Sequence, residues 1–194
     1  MTDLMLDART TALVVVDLQR GIVSRAVAPH ASSDVIARSA RVADALRGAG
    51  GRVVLVRVAY AADEGDRLHP PVDAAMPPGA PPPGWSDLVP ELGPRDGDVV
   101  VTKHQWGAFY GTELELQLRR RGIRTLLMCG ISTNFGVEST ARDGWERGFE
   151  LVFIEDAMAG MSAEAHAFAV GTIFPRIGRV RSTDDVLAAL TRKS

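Results

Sequence analysis

Asp17 and Lys103 are the residues whose types and positions most directly suggest chemistry. Asp17 closes the apolar run Leu13-Val14-Val15-Val16, and Lys103 follows Val99-Val100-Val101-Thr102. A carboxylate at the end of an apolar strand loses water, which raises its pKa unless a cation compensates; an ammonium ending a second strand could be that cation. Such a pair suits acid–base work on a small molecule. It equally suits a structural ion pair or a turn-capping Asp, and spacing leaves these readings open. A third segment, Gly130-Ile131-Ser132-Thr133-Asn134-Phe135-Gly136, follows Leu126-Leu127-Met128-Cys129 and opens a helical pattern. Gly136 brings no nucleophile to it.

These segments meet only if a sheet brings strand ends together. Apolar runs alternate with helical patterns along the chain, the order of a parallel sheet covered on both faces. Strands are expected near Ala12–Val16, Arg52–Val58, Val99–Thr102, Thr125–Cys129, Leu151–Ile154 and Arg179–Arg181. Between the first two, Val35, Ile36, Ser39, Val42, Ala43 and Leu46 form one helical stripe behind a cap at Ser33, and Gly48, Gly50 and Gly51 stop it. Thr112 with Glu115 has capping-box spacing, Ser162 precedes an alanine-rich helix, and Thr183 with Asp184 and Asp185 opens the last one. The fold class is α/β: three layers, with a doubly wound, mostly parallel six-stranded sheet of Rossmann-like type. In open sheets of this kind ligands bind outside the carboxyl ends of the strands, where Asp17, Lys103 and Gly130 all fall.

The 194 residues, 46% hydrophobic with a formal charge of −2, suit one soluble domain spanning 1–194. Near-neutral charge without a basic block argues against nucleic-acid binding, and Arg119-Arg120-Arg121 reads as a basic helix end before Gly122. No apolar run approaches the ~20 residues that span a bilayer, and Met1–Asp7 lacks a leader pattern, so a cytoplasmic location is expected. Nine of the 11 prolines crowd Pro70–Pro94 and prevent a long regular element there. A loop of this length is commonly a lid, a binding loop or an interface arm, and Trp85, Leu88, Val89 and Leu92 supply apolar anchors.

The runs Ala12–Gln19, Val101–Phe109, and Gly130–Arg142 followed by Glu155-Asp156-Ala157 resemble, in order and spacing, the isochorismatase-like hydrolases of the cysteine hydrolase superfamily. The resemblance covers nearly the whole chain and implies that Asp17 and Lys103 share a catalytic site. It also implies a cis peptide at Ile131-Ser132 and assembly into a dimer or tetramer. In most of the family a reactive cysteine stands where this chain has Gly136, so the resemblance is to a branch that lacks the catalytic cysteine. Isochorismatases proper, which cleave a vinyl ether, share that glycine. For such chemistry a carboxylic acid protonates the enol-ether carbon and water captures the oxocarbenium ion. Asp17 would be the general acid/base and Lys103 the electrostatic or orienting group.

Gln19, His104, Trp106, Ser132, Thr133, Asn134 and Gly136 are the expected substrate-binding residues of this small-molecule site. His104, Trp106 and Asn134 fit core or capping roles as well. Two positions depart from the isochorismatase pattern: a Gln after the second strand is replaced within Arg57-Val58-Ala59-Tyr60, and an Arg two residues after the Lys is Gln105. The carboxylate-binding set is therefore altered, with Arg57, Arg67 and His104 as substitutes. Cys129, at the end of a buried strand, reads as structural, and Asp156 as a structural strand-end carboxylate. His30, His69, His104 and His166 show no close ligand spacing, so no metal is expected, and no glycine pattern implies a dinucleotide or other cofactor. Two readings stand beside the hydrolase: a binding protein that kept the pocket without the cysteine, and an interaction protein working through the proline-rich loop.

Overall fold

The computed structural model describes residues 4–74 and 79–191. Strands β1 (Thr11–Val16), β2 (Arg52–Val58), β3 (Val99–Lys103), β4 (Thr125–Ile131), β5 (Glu150–Ala159) and β6 (Arg179–Arg181) form one sheet in the order β3-β2-β1-β4-β5-β6. Every pairing is parallel. The connections carry α1 (Arg20–Val23), α2 (Ser32–Gly48), α3 (Leu114–Arg120), α4 (Glu138–Glu146), α5 (Ala163–Phe168), α6 (Phe174–Ile177) and α7 (Thr183–Thr191).

Alternation along β1 shows why the runs are unbroken. Leu13 and Val15 join a core with Val35, Val42 and Leu46 of α2 and Val186 of α7. Ala12, Val14 and Val16 join the opposite core with Leu114 of α3, Ala141 of α4 and Phe174 of α6. Both faces of the sheet are covered, so neither set of alternate side chains can be polar. The result is the three-layer α/β/α fold anticipated from the chain, with all six expected strands present and β5 running on to Ala159.

Strand order reverses between β1 and β4, making a crevice at their carboxyl ends. Gly130 lets the two strands close up there: its φ is +121°, and a Cβ would stand 2.1 Å from the Val16 carbonyl oxygen.

Helix starts differ in detail from expectation. Neither Ser33 nor its neighbours supply a side-chain cap to α2, which begins at Ser32 behind Ala31. The Thr112–Glu115 capping box does not form: the N-cap of α3 is Glu113, and the Thr112 hydroxyl accepts instead from Leu114 N at 3.1 Å. Ser162 does cap, accepting from Ala165 N at 3.3 Å. At α7 the cap is Ser182, reciprocally bonded to Asp185. Thr183 is held instead by Asp156, whose Oδ1 accepts from its N at 2.7 Å and its Oγ1 at 2.8 Å. Asp156 is therefore structural, as expected.

Pro77 and Pro78 lie outside the described residues. The later half of the proline-rich segment is strapped to the start of α1: Gly21 N donates to Trp85 O at 2.9 Å, Arg20 N to Asp87 O at 2.8 Å, and Val89 N to Leu18 O at 3.1 Å. Val89 and Leu92 are buried. Gly21 is required for this contact, because a Cβ would fall 1.9 Å from Trp85 Cδ1. Among the described residues no helix is long and apolar enough to cross a membrane.

Candidate active site

Asp17 leaves β1 with φ +55°, a left-handed conformation that Asp tolerates better than most residues. Its N–H donates to Val56 O at 2.9 Å, which fixes the turn against β2. Lys103 ends β3, in register with Val58 of the intervening strand, and its long stem crosses the end of β2 to reach Asp17. Lys103 Nζ donates to Asp17 Oδ2 at 2.8 Å and to the Trp106 carbonyl at 2.6 Å. The Lys103 side chain is 1% exposed and that of Asp17 8%. Burial pushes the Asp17 carboxyl up to about 6, while the Lys103 charge and hydrogen bond pull the other way. Asp17 Oδ1 is buried without a hydrogen-bond partner among the described residues.

Gly136 completes the group. A Cβ there would stand 2.9 Å from Asp17 Oδ2, 3.0 Å from Val16 Cγ1 and 3.2 Å from Lys103 Nζ. The pair thus closes over the point where a side chain would start. Residues Thr133–Val137 form one π-helical turn before α4 rather than its first α-helical turn. Thr140 braces both sides of the site, its hydroxyl donating to Gly136 O at 2.7 Å and accepting from Ala108 N at 3.1 Å. The Ile131-Ser132 peptide is cis, as the resemblance implied.

The other expected residues divide. Trp106 is 60% exposed and packs edge-on against Phe135, with ring centres 4.8 Å apart. Phe135, beside Gly136, was absent from the expected set; its only signal is a large apolar residue in a polar turn. Ser132 Oγ donates to Asn134 Oδ1 at 3.4 Å, and Asn134 caps no helix. Thr133 is buried and turned to His166, at 2.8 Å from its Nδ1. Gln19 is wholly buried and its amide is spent on backbone: Nε2 donates to Val58 O at 2.9 Å, and Oε1 accepts from Val58 N at 2.8 Å. It clamps the strand ends, and with Nε2 also donating to Trp85 O at 3.3 Å both amide hydrogens are spent on backbone.

His104 lies against Ala59 O at 2.6 Å and Asp66 Oδ2 at 3.3 Å. Arg67 is paired with Glu64 at 2.7 Å and covers the Tyr60 ring, while Arg57 donates to Thr102. The three candidate carboxylate binders are thus already engaged. Beside them a cavity of about 300 Å³ is lined by Tyr60, Pro81, Pro82, Pro83 and Trp85, with Tyr60 and Trp85 stacked. Asp17 and Lys103 do not line it, so it adjoins the reacting groups rather than containing them.

Cys129 is no replacement nucleophile. It packs in the α2-side core, and burial pushes its thiol up to about 12. Elsewhere the fold brings His30 and His166 to Glu155, a cluster that linear spacing does not reveal.

A doubly wound parallel sheet with a cysteine-free, buried Asp–Lys pair at its switch point defines a hydrolase-type site of acid–base and electrostatic character. The Isochorismatase domain profile matches residues 11–185. The isochorismatase family protein YecD of Escherichia coli O157:H7 is 52% identical, covering 96% of this chain and 100% of its own length. YwoC of Bacillus subtilis, of the same family, is 46% identical over 96% of this chain and 97% of its own. An isochorismatase family protein from Burkholderia thailandensis superposes with a TM-score of 0.91 at 45% identity, covering 97% and 98% of the two chains. This chain belongs to the isochorismatase family.

Proposed function

We propose that the protein hydrolyses a small metabolite of enol-ether type, without a covalent intermediate, through Asp17 and Lys103. The observation that carries this reading is the direct Asp17–Lys103 contact, buried beside a residue with no side chain. An acid whose pKa lies near working pH transfers protons efficiently in both directions, and about 6 suits that role. Asp17 delivers its proton to the terminal alkene carbon, and the electron pair on the ether oxygen forms an oxocarbenium ion. Water adds to that ion and returns a proton to the Asp17 carboxylate. The resulting hemiketal collapses to an alcohol and a ketone. Lys103 holds the Asp17 carboxylate in place and stabilises it once the proton has left.

Trp106 and Phe135 supply an apolar rim for the substrate, and the Tyr60–Trp85 cavity receives its larger part. Because Arg67 and His104 are already paired with Glu64 and Asp66, an uncharged or singly charged substrate fits better than a dicarboxylate. Assembly into a dimer or tetramer belongs to this reading and is checked by light scattering on the full chain.

The test uses isochorismate and simpler enol ethers in D₂O, beside a folded Asp17→Asn variant. Turnover should place one solvent deuterium in the ketone's methyl group and vanish in the variant. Turnover undiminished in Asp17→Asn would sink the mechanism. Binding without turnover of any enol ether would favour the alternative, a binding protein that retains the pocket; the tightness of the Asp17–Lys103 pair is the observation on its side.

A further inference from the structure

His30 lies before α2, Glu155 in β5 and His166 in α5, yet their polar atoms converge. His30 Nε2 and His166 Nε2 stand 3.0 and 3.3 Å from the same oxygen, Glu155 Oε1. One potential ligand atom from each residue lies within 4.8 Å of the others. Ligands about 2.0–2.2 Å from a tetrahedral ion stand about 3.3–3.6 Å apart, close to the two Nε2–Oε1 separations, with an open position left for water or another ligand.

Burial is graded across the cluster. The His166 side chain is 4% exposed, His30 23% and Glu155 35%, so one wall is closed and the opposite side is open for an ion to reach it. The outer nitrogen of His166 also has a partner: Nδ1 lies 2.8 Å from Thr133 Oγ1. An Nδ1–H donated to that hydroxyl leaves the Nε2 lone pair facing Glu155, the orientation metal-bound imidazoles commonly take from outer partners. Among the described residues Arg38 is a cation at the edge of the cluster: its Nη1 stands 3.4 Å from His30 Nδ1 and donates more closely to the Asp156 carbonyl, at 2.7 Å.

We propose that His30, Glu155 and His166 form a binding site for one divalent transition-metal ion of the zinc class, with Thr133 orienting His166. Two imidazoles and a carboxylate favour such an ion over magnesium or calcium, which prefer all-oxygen sets. Without an ion, each Nε2 carries the proton that bonds Glu155. With one, both Nε2 lone pairs turn to the ion, His166 Nδ1–H donates to Thr133, and Arg38 turns from His30 Nδ1 wholly to the Asp156 carbonyl so that His30 can carry its proton there. The ion would tie β5 and α5 to the turn that carries Gly136, a role separate from proton transfer at Asp17.

The test strips the full-length protein with a chelator, confirms its fold by circular dichroism, and titrates it with Zn²⁺ by calorimetry, with metal content read by mass spectrometry. One ion per chain is expected. Affinity should fall by at least about tenfold in His30→Gln and in Glu155→Gln, and be unchanged in His69→Gln, outside the cluster. In the wild type, ¹⁵N chemical shifts should show His30 and His166 passing from Nε2-protonated to Nδ1-protonated imidazoles as Zn²⁺ is added. No uptake by the folded wild type, affinity in both variants equal to the wild type's, or unchanged imidazole shifts overturns the proposal.

Discussion

Two strand-end carboxylates, Asp17 after β1 and Glu155 in β5, lie on the same sheet and are moved in opposite directions. Asp17 meets one cation, Lys103, in a place almost closed to water, and desolvation dominates: its carboxyl rises to about 6. At Glu155 burial also pushes upward, but with 35% of the side chain exposed the hydrogen bonds from His30 and His166 outweigh it and hold the carboxyl below its ordinary range. Dryness thus raises a carboxyl's hold on its proton even against a partner's opposing charge. The first arrangement suits proton transfer, the second a fixed anion among imidazoles.

Removing the buried charge should have the largest effect. Asp17→Ala leaves the Lys103 ammonium 1% exposed with only the Trp106 carbonyl, and forces Ala into a left-handed backbone. Denaturant unfolding should show a loss of roughly 3–5 kcal/mol. Asp17→Asn, which tolerates that backbone and still offers Lys103 an acceptor, should lose less. Equal losses would mean that neither the acceptor left to Lys103 nor the left-handed backbone at position 17 matters to stability.

Crowding the site comes next. Gly136→Ala puts a methyl group 2.9 Å from Asp17 Oδ2 and against Val16, so these side chains must shift; about 1–3 kcal/mol of stability should be lost. Gly21→Ala, whose Cβ overlaps the Trp85 ring, should cost a similar amount and shift tryptophan fluorescence as the strap lifts from α1. An unchanged spectrum would show that Trp85 does not depend on that contact.

Acidity sharpens the contrast further. Since Asp17's folded value lies above its ordinary 3.8, the folded state binds the extra proton between those values. The Asp17 contribution to stability is therefore fully present below about pH 3.8 and lost as pH rises through about 6. Wild type minus Asp17→Asn stability, followed by thermal melts from pH 4 to 7, should decline over that window; a rise would mean that the ion pair outweighs desolvation. With Asp17 as the acid, turnover should also fall about tenfold per unit above pH 6. Cys129→Ala should have the smallest effect on catalysis, leaving turnover unchanged because the thiol is buried away from the pair, and a stopped-flow assay would reveal any dependence on it.

Much of this was legible from local order. Strands buried on both faces appear as unbroken Val/Leu runs, and a charge directly after such a run marks a carboxyl end, which is why Asp17 and Lys103 stand out. Gly136 is readable because the turn around it repeats a family pattern. The π-helical turn at Thr133–Val137 is not, since it differs from an α-turn only in which carbonyl each N–H finds. Gln19 sits beside Asp17 in sequence, and only the tertiary pairing of β1 with β2 shows its amide consumed by Val58. His30 and Glu155 lie 125 residues apart, so their contact is a product of topology that no linear spacing encodes. The cavity of Tyr60 and Trp85 arises in the same way, from a strap whose purpose depends on where Gly21 lets it land.

The most direct test of the site is the titration of Asp17 itself, followed by the ¹³C shift of its carboxyl carbon in selectively labelled protein and identified by its loss in Asp17→Asn. A midpoint near 6 is predicted, from a carboxyl that burial keeps ready to donate a proton despite Lys103 at 2.8 Å. A midpoint at or below the ordinary 3.8 would contradict the account, leaving Asp17 and Lys103 a structural ion pair with no proton to give.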